Sequence, residues 1–454
     1  MPAHPASPSR SAARLRAACL ATGVVAAVGV ACAGCKPSAR ATGGDAGSPA
    51  TMSPVVLDAG APGRPIELFT WWQKTAESDA LEELSAAHRR RYPADVLIDA
   101  TAGASGQGRS TLRRRMESDE PPDTFQANAG NDFMQWVLVN GVDDSASKLL
   151  PLDGLTADVA EWRRAMPKAL LDLLTHDGKL YGVPSNVHRI NTLFYSRAVF
   201  RRFGLTEPKT IDDLRRIAHR LQGTGVWSIA LGSRDPWTLA LLAFECLLVA
   251  REGPTFYESY FGGRLHADDA RMIADLDAFL EVVAMANEDH AQLSWLQAVD
   301  LVASGKAAMT VMGDWVRGAL ANRGLKLGDD FGEIAFPQTD GVFVFTSDAF
   351  GLPKLAKNRE GALRLLETMG SVDGQRAMNA AKDALSARTD VPPGDSMLEK
   401  KLALMKSGPL VLALSGLVPA RFADDVAGGL ADAARQHDAE PALHALRSRY
   451  ALLR

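Results

Sequence analysis

A strand, a helix and a second strand follow one another between Pro65 and Ile98, and that spacing limits the fold more than any other feature. Ile66 and Leu68 alternate with Glu67 and Phe69 in the first strand, Pro65 to Thr70. Asp79 reads as the N-cap of the helix, with Glu82 three residues on. Leu81, Leu84 and His88 share one face of it, Pro93 ends it, and Val96 to Ile98 form the next strand. Two strands this far apart need a crossover, which predicts a parallel α/β sheet. The unit recurs. Thr210 to Asp213 is a capping-box start, and Leu214, Ile217 and Leu221 carry an apolar face to Gly223, before a strand at Ile229 to Leu231. Ser294 to Gln297 opens another helix, closed by Gly305, with a strand from Ala307 to Met312. Leu363, Leu366 and Met369 mark one more helix. Two such α/β units predict two lobes with a cleft, and open α/β sheets bind ligands beyond the carboxyl ends of their strands.

The first 35 residues read as a secretory leader and not as fold. Arg10, Arg14 and Arg16 form a positive region, Ala17 to Val30 an apolar stretch, and Ala33-Gly34-Cys35 a processing site. That ending resembles a lipobox, with Cys35 as the lipid-modified residue; Cys32 stands where an aliphatic side chain is more usual, and plain secretion is the alternative. Residues 36 to 64 are rich in Ala, Gly, Ser and Pro and predict a flexible tether. Cys246 is then the one cysteine of the body, so no internal disulfide is expected, and its apolar surroundings predict a buried small side chain. With 50 basic against 54 acidic side chains, the net charge of −4 gives no basic excess for nucleic acid.

Trp71-Trp72, at the end of the first strand, has two readings. Indole faces stack on the C–H faces of pyranose rings; an indole pair also packs well inside a core. Glu77, Gln126, Asn128, Asn186, His188, Asp314 and Lys382 fall at element ends. Such side chains suit the hydroxyls of a neutral polyol, although Asn and Asp favour turns for local reasons. His188 lies where a hinge strand or a cleft floor is expected. Gly103 to Gly108 lacks the ending of a P-loop and the spacing of a dinucleotide fingerprint, and reads as a loop. Arg113 to Arg115 reads as a solvated helix face. No protease, hydrolase or paired-cysteine metal motif occurs, so no metal or cofactor is expected. Glu77 and Asp314 are the one carboxylate pair that a glycosidase reading would use.

An ordered series of segments carries a resemblance: Phe69 to Trp72, Pro121 to Gln126, Val183 to Arg189, Leu293 to Val299, Val311 to Trp315 and Ser347 to Pro353. Over about Ile66 to Arg388 the chain resembles the extracellular solute-binding proteins of bacterial ABC sugar importers, and among them is similar to glucose/galactose- and mannose-binding lipoproteins. The resemblance implies a two-lobe, type II periplasmic binding fold. It implies sugar contacts at Trp71, Trp72, Gln126, Trp295, Asp314 and Lys382, and at Glu77 across a loop one residue longer. Asn128 and Ser415 stand where glucose binders have histidines, which puts glucose itself in doubt.

The expectation is therefore a two-lobe α/β protein. Residues 65–188 and 346–385 form its first lobe, 189–345 and 386–454 its second, and the chain crosses near His188, Thr346 and Leu385. It is expected to be a non-enzymatic monomer, lipid-anchored in the periplasm or at the cell surface. It would close on a neutral mono- or disaccharide and deliver it to ABC permease subunits. A secreted glycoside hydrolase and a sensor or scaffold without ligand are the alternatives.

Overall fold

The computed structural model describes residues 64–72, 76–100, 105–139 and 146–454. The leader, Cys35 and all of the tether up to residue 63 lie outside the described residues. Strands Leu97–Asp99, Ile66–Phe69, Thr124–Asn128, Asp348–Gly351 and Gly182–Pro184 lie side by side in one sheet. The first three are parallel and the last two antiparallel to their neighbours. A second sheet has the order Phe331–Ala335, Thr192–Ser196, Ala307–Met312, Trp227–Ala230. Each carries its own core. Ile66, Leu68, Phe125, Phe350 and Leu366 belong to the first, and Phe194, Ile229, Phe244, Met309 and Leu430 to the second. The chain thus has the two-lobe α/β fold.

A third, small sheet joins the lobes, in the order Leu385–Ser386, Asn186–Arg189, Phe343–Thr346, Leu410–Leu412. Side chains alternate faces along a strand. Accordingly Phe343 and Phe345 pack in the first core, while Val344 between them packs in the second. Val411 goes with the second core and Leu412 against the first. The chain enters the second lobe through Asn186–Arg189 and leaves it through Phe343–Thr346. After Leu385–Ser386 it forms the helix Ser396–Ser407, whose Leu398 is buried in the first core. That stretch had been expected in the second lobe.

Local chemistry explains most element ends. Both capping boxes form, Thr210 with Asp213 and Ser294 with Gln297, and Cys246 is buried and unpaired. Three details differ from expectation. The helix Ala76–Arg91 begins three residues before Asp79, which therefore sits in its first turn. Its exposed carboxylate accepts from Asn322 at 2.9 Å instead of capping. Ser105 to Gly108 is not loop but the first turn of the helix Ser105–Glu117. Arg115 on that helix is not simply solvated, since it holds Glu67 at 2.6 and 2.7 Å.

Candidate functional site

A cleft of about 400 Å³ opens between the lobes, within the roughly 300–1,000 Å³ usual for small-molecule sites. Its first wall carries Trp71, Glu77, Arg109, Arg113 and Asn128. Arg109 and Arg113 are one turn apart on their helix and so face the same way; the Arg109 guanidinium lies 5.6 Å from the Trp71 ring centre. The second wall presents Asp235, Trp237, Glu245, Trp295, Trp315, Ser415 and Asp424. Trp295 stands at the first position of a helix held by the Ser294–Gln297 box. The Trp315 ring folds back over Gly313, where an added Cβ would meet it at 2.1 Å. Trp237 and Trp315 meet at 6.1 Å between ring centres. His188, Thr346, Asp348 and Lys382 line the remainder.

The tryptophan pair divides. Trp71 is half-buried and faces the cleft. Trp72 is 1 % exposed, edge-on to Phe350 at 5.7 Å, with Lys382 Nζ 4.1 Å above its ring. Trp72 is therefore core, while Trp71 packs against the same core and lines the cleft.

Three of the predicted polar contacts serve one buried carboxylate, Asp348. Gln126 Nε2 donates to Asp348 Oδ1 at 2.7 Å, Asn186 Nδ2 to Oδ2 at 2.7 Å, and Lys382 Nζ to Oδ2 at 2.9 Å. Gln126 and Asn186 are sealed at 0 % and 1 % exposure and line no part of the cleft. This corrects their assignment as ligand contacts. Burial pushes the Asp348 carboxyl up, but Lys382, His188 and the Asn186 amide outweigh it and bring the pKa to about 2. Lys382 and Asp348 both reach the cleft. Asp348 was missed, although it lies inside the quoted Ser347 to Pro353 segment.

Asp314 also needs correction. It is fully buried and lines no part of the cleft. Its Oδ1 lies 2.7 Å from His188 Nδ1, and its Oδ2 accepts from Arg189 N–H at 3.2 Å and Lys401 Nζ at 3.0 Å. Lys401 reaches on to Glu333 at 2.5 Å. Burial again pushes the carboxyl up, and Lys401 and His188 pull it below the usual range. An ionised carboxylate only accepts, so His188 Nδ1 carries the proton. His188 lines the cleft, and its buried Nε2 finds no partner among the described residues. Asp314 thus orients His188 and does not touch the cleft.

Asn128 and Ser415 both line the cleft, and they meet each other: Asn128 Nδ2 donates to Ser415 Oγ at 3.0 Å. Beside them Asn131 Nδ2 donates to the Leu417 carbonyl at 2.7 Å. Gly130, at φ +100°, approaches Gly416 so closely that an added Cβ would lie 2.3 Å from its carbonyl oxygen. The lobes therefore touch backbone to backbone beside the cleft. Arg113 and Asp424 face each other across it at 3.7 Å. Arg113, expected on a solvated helix face, lines the cleft instead, and Trp237, Trp315, Arg109, Glu245, Asp235 and Asp424 were not singled out from the sequence. Trp315 had a signal in its place within the Val311 to Trp315 segment, and Glu245 a fainter one as a single carboxylate inside an apolar run.

Four indoles, two guanidiniums, an imidazole edge and several carboxylates from both lobes make a site that can grip a small polar molecule on opposite faces. The profile of the bacterial extracellular solute-binding proteins matches residues 56–376. An uncharacterised ABC transporter extracellular-binding protein of Pyrococcus horikoshii is 31 % identical over 388 residues, covering 83 % of this chain and 85 % of that one. A probable sugar-binding periplasmic protein of Mesorhizobium japonicum is 29 % identical, covering 73 % of this chain and 77 % of its own. Among solved structures, the bacterial solute receptor AcbH, described as preferring β-D-galactopyranose, superposes with a TM-score of 0.73 at 17 % identity over 85 % of this chain and 97 % of its own. A chitin oligosaccharide binding protein gives 0.73 and 17 % over 86 % of this chain and 99 % of its own; at that identity the likeness concerns the fold alone. With the profile spanning most of its length, the chain belongs to the bacterial extracellular solute-binding proteins of the ABC type.

Proposed function

We propose that this protein is the substrate-binding component of an ABC sugar importer, and that it captures a neutral mono- or disaccharide between its lobes. The observation that carries this reading is the interlobe cleft of about 400 Å³ with Trp71 on one wall and Trp237, Trp295 and Trp315 on the other. Indole faces favour the apolar faces of pyranose rings, and His188 Nε2, Asn128, Ser415 and Lys382 supply edges for hydroxyls. The sugar-binding names of its relatives support the same reading. Bending of the small shared sheet would open and close the cleft, and a ligand favours closure only through contacts it gains there. The closed monomer, tethered through a lipid on Cys35 at the outer face of a membrane, would be what a permease recognises.

Calorimetry of residues 64–454 with D-glucose, D-galactose, D-mannose, D-xylose and maltose tests the proposal. At least one sugar binds, and Trp71→Ala or Trp295→Ala weakens it by about tenfold or more, near 1.4 kcal/mol. Failure of every sugar to bind favours the sensor or scaffold reading. Turnover of a chromogenic glycoside, lost in Glu77→Gln, favours the hydrolase.

A further inference from the structure

Glu245 is the one charged side chain of a π-helical segment, Leu241–Leu248, whose other residues are Leu, Ala, Phe and Cys, all buried. It lies on the second wall of the cleft. Among the described residues its carboxylate forms one hydrogen bond: Leu414 N–H donates to Oε1 at 2.7 Å. Among the described residues no cation compensates the carboxylate, in contrast to Asp348 and Asp314, which have Lys382 and Lys401. A backbone N–H needs only a neutral acceptor, which Gln would supply without a buried charge. A carboxylate kept in apolar surroundings on a cleft wall calls for a second partner. The π turn gives a reason for its position: one extra residue per turn displaces a side chain that a regular helix would turn elsewhere, a device found often at functional sites.

We infer that Glu245 is a specificity-determining contact of this cleft, whose Oε2 accepts a hydrogen bond from one hydroxyl of the bound sugar. The inference rests on the sugar-binding reading above and deepens it. Burial raises the Glu245 pKa to about 7, the Leu414 N–H only partly opposing the rise; a hydroxyl donated to Oε2 would favour the ionised form. The contact also reaches the seam between the lobes, because Leu414 precedes Ser415, which holds Asn128. A sugar seated on Glu245 and the closed seam therefore share one short segment.

The test is calorimetry of wild type, Glu245→Gln and Glu245→Ala with the five sugars above and with the monodeoxy analogues of whichever binds best. In wild type, removal of one particular hydroxyl weakens binding by about tenfold or more. In Glu245→Ala that penalty shrinks to less than about twofold, while the penalties at other hydroxyls persist. Glu245→Gln keeps the Leu414 acceptor and the volume, folds like wild type, and still binds the parent sugar about tenfold more weakly, since a charge-assisted bond is lost. If Glu245→Ala fails to fold, the Gln variant decides through the same deoxy series. Equal deoxy penalties in wild type and variant overturn the inference and leave the sugar-binding reading intact. Failure of every sugar to bind wild type overturns both.

Discussion

Asp348 and Asp314 are two buried aspartates near the shared sheet, each paired with a lysine, and they do different work. Asp348 reaches the cleft and gathers Gln126, Asn186 and Lys382 around it. Asp314 never reaches the cleft and acts at one remove, by holding His188. They also differ in how well their lysines are supported. Lys401 has Glu333 as well as Asp314, whereas among the described residues Asp348 is the one carboxylate that Lys382 bonds. The lesson is that side chains able to bind hydroxyls are used first to neutralise and orient buried charge, and only what projects beyond that layer meets a ligand.

The comparison is sharpened most by removing each carboxylate. Asp348→Ala strands Lys382 and costs about 3–5 kcal/mol in urea denaturation. Asp314→Ala leaves Lys401 on Glu333 and costs less, about 1–3 kcal/mol. Equal costs would break the distinction. Acid comes next. The Asp348 pKa is lowered to about 2 in the fold against about 3.9 unfolded. Its contribution, on the order of 2 kcal/mol, is full above the unfolded value and is lost as pH falls from about 5 towards 2. Urea midpoints across that range should flatten in Asp348→Asn. A third expectation separates orientation from contact. Asp314→Asn keeps the fold but frees the His188 ring, weakening sugar binding by about tenfold, or about 1.4 kcal/mol, while His188→Ala gives the same loss and the double variant adds little. The smallest effect belongs to the half-exposed Arg113–Asp424 pair. Its removal changes stability by less than about 1 kcal/mol, and that change disappears in high salt.

Elements whose causes are local were legible. The Ala307–Met312 strand and the two capping boxes follow from neighbours in the chain. The start of the Ala76–Arg91 helix was misread because Asp79 is as acceptable in a first turn as at a cap. In the site, Trp71, Trp295 and His188 reach the cleft as expected by position, but Trp72, Gln126, Asn186 and Asp314 do not. No local pattern distinguishes an amide that faces a hydroxyl from one that faces Asp348. Glu245 did carry a faint signal, a single carboxylate inside the apolar run Leu239 to Val249.

What the residues by themselves determined is the list of parts: two α/β units, one free buried cysteine and a tryptophan at a strand end. What only the tertiary structure decided is who meets whom. Asn128 and Ser415 are 287 positions apart and join across the seam; Lys401 and Asp314 are 87 apart and together hold His188. Periodicity acts over a few residues and sets which way a side chain turns. The partner it finds depends on how two separately built cores are brought together, and that is a property of the whole packing.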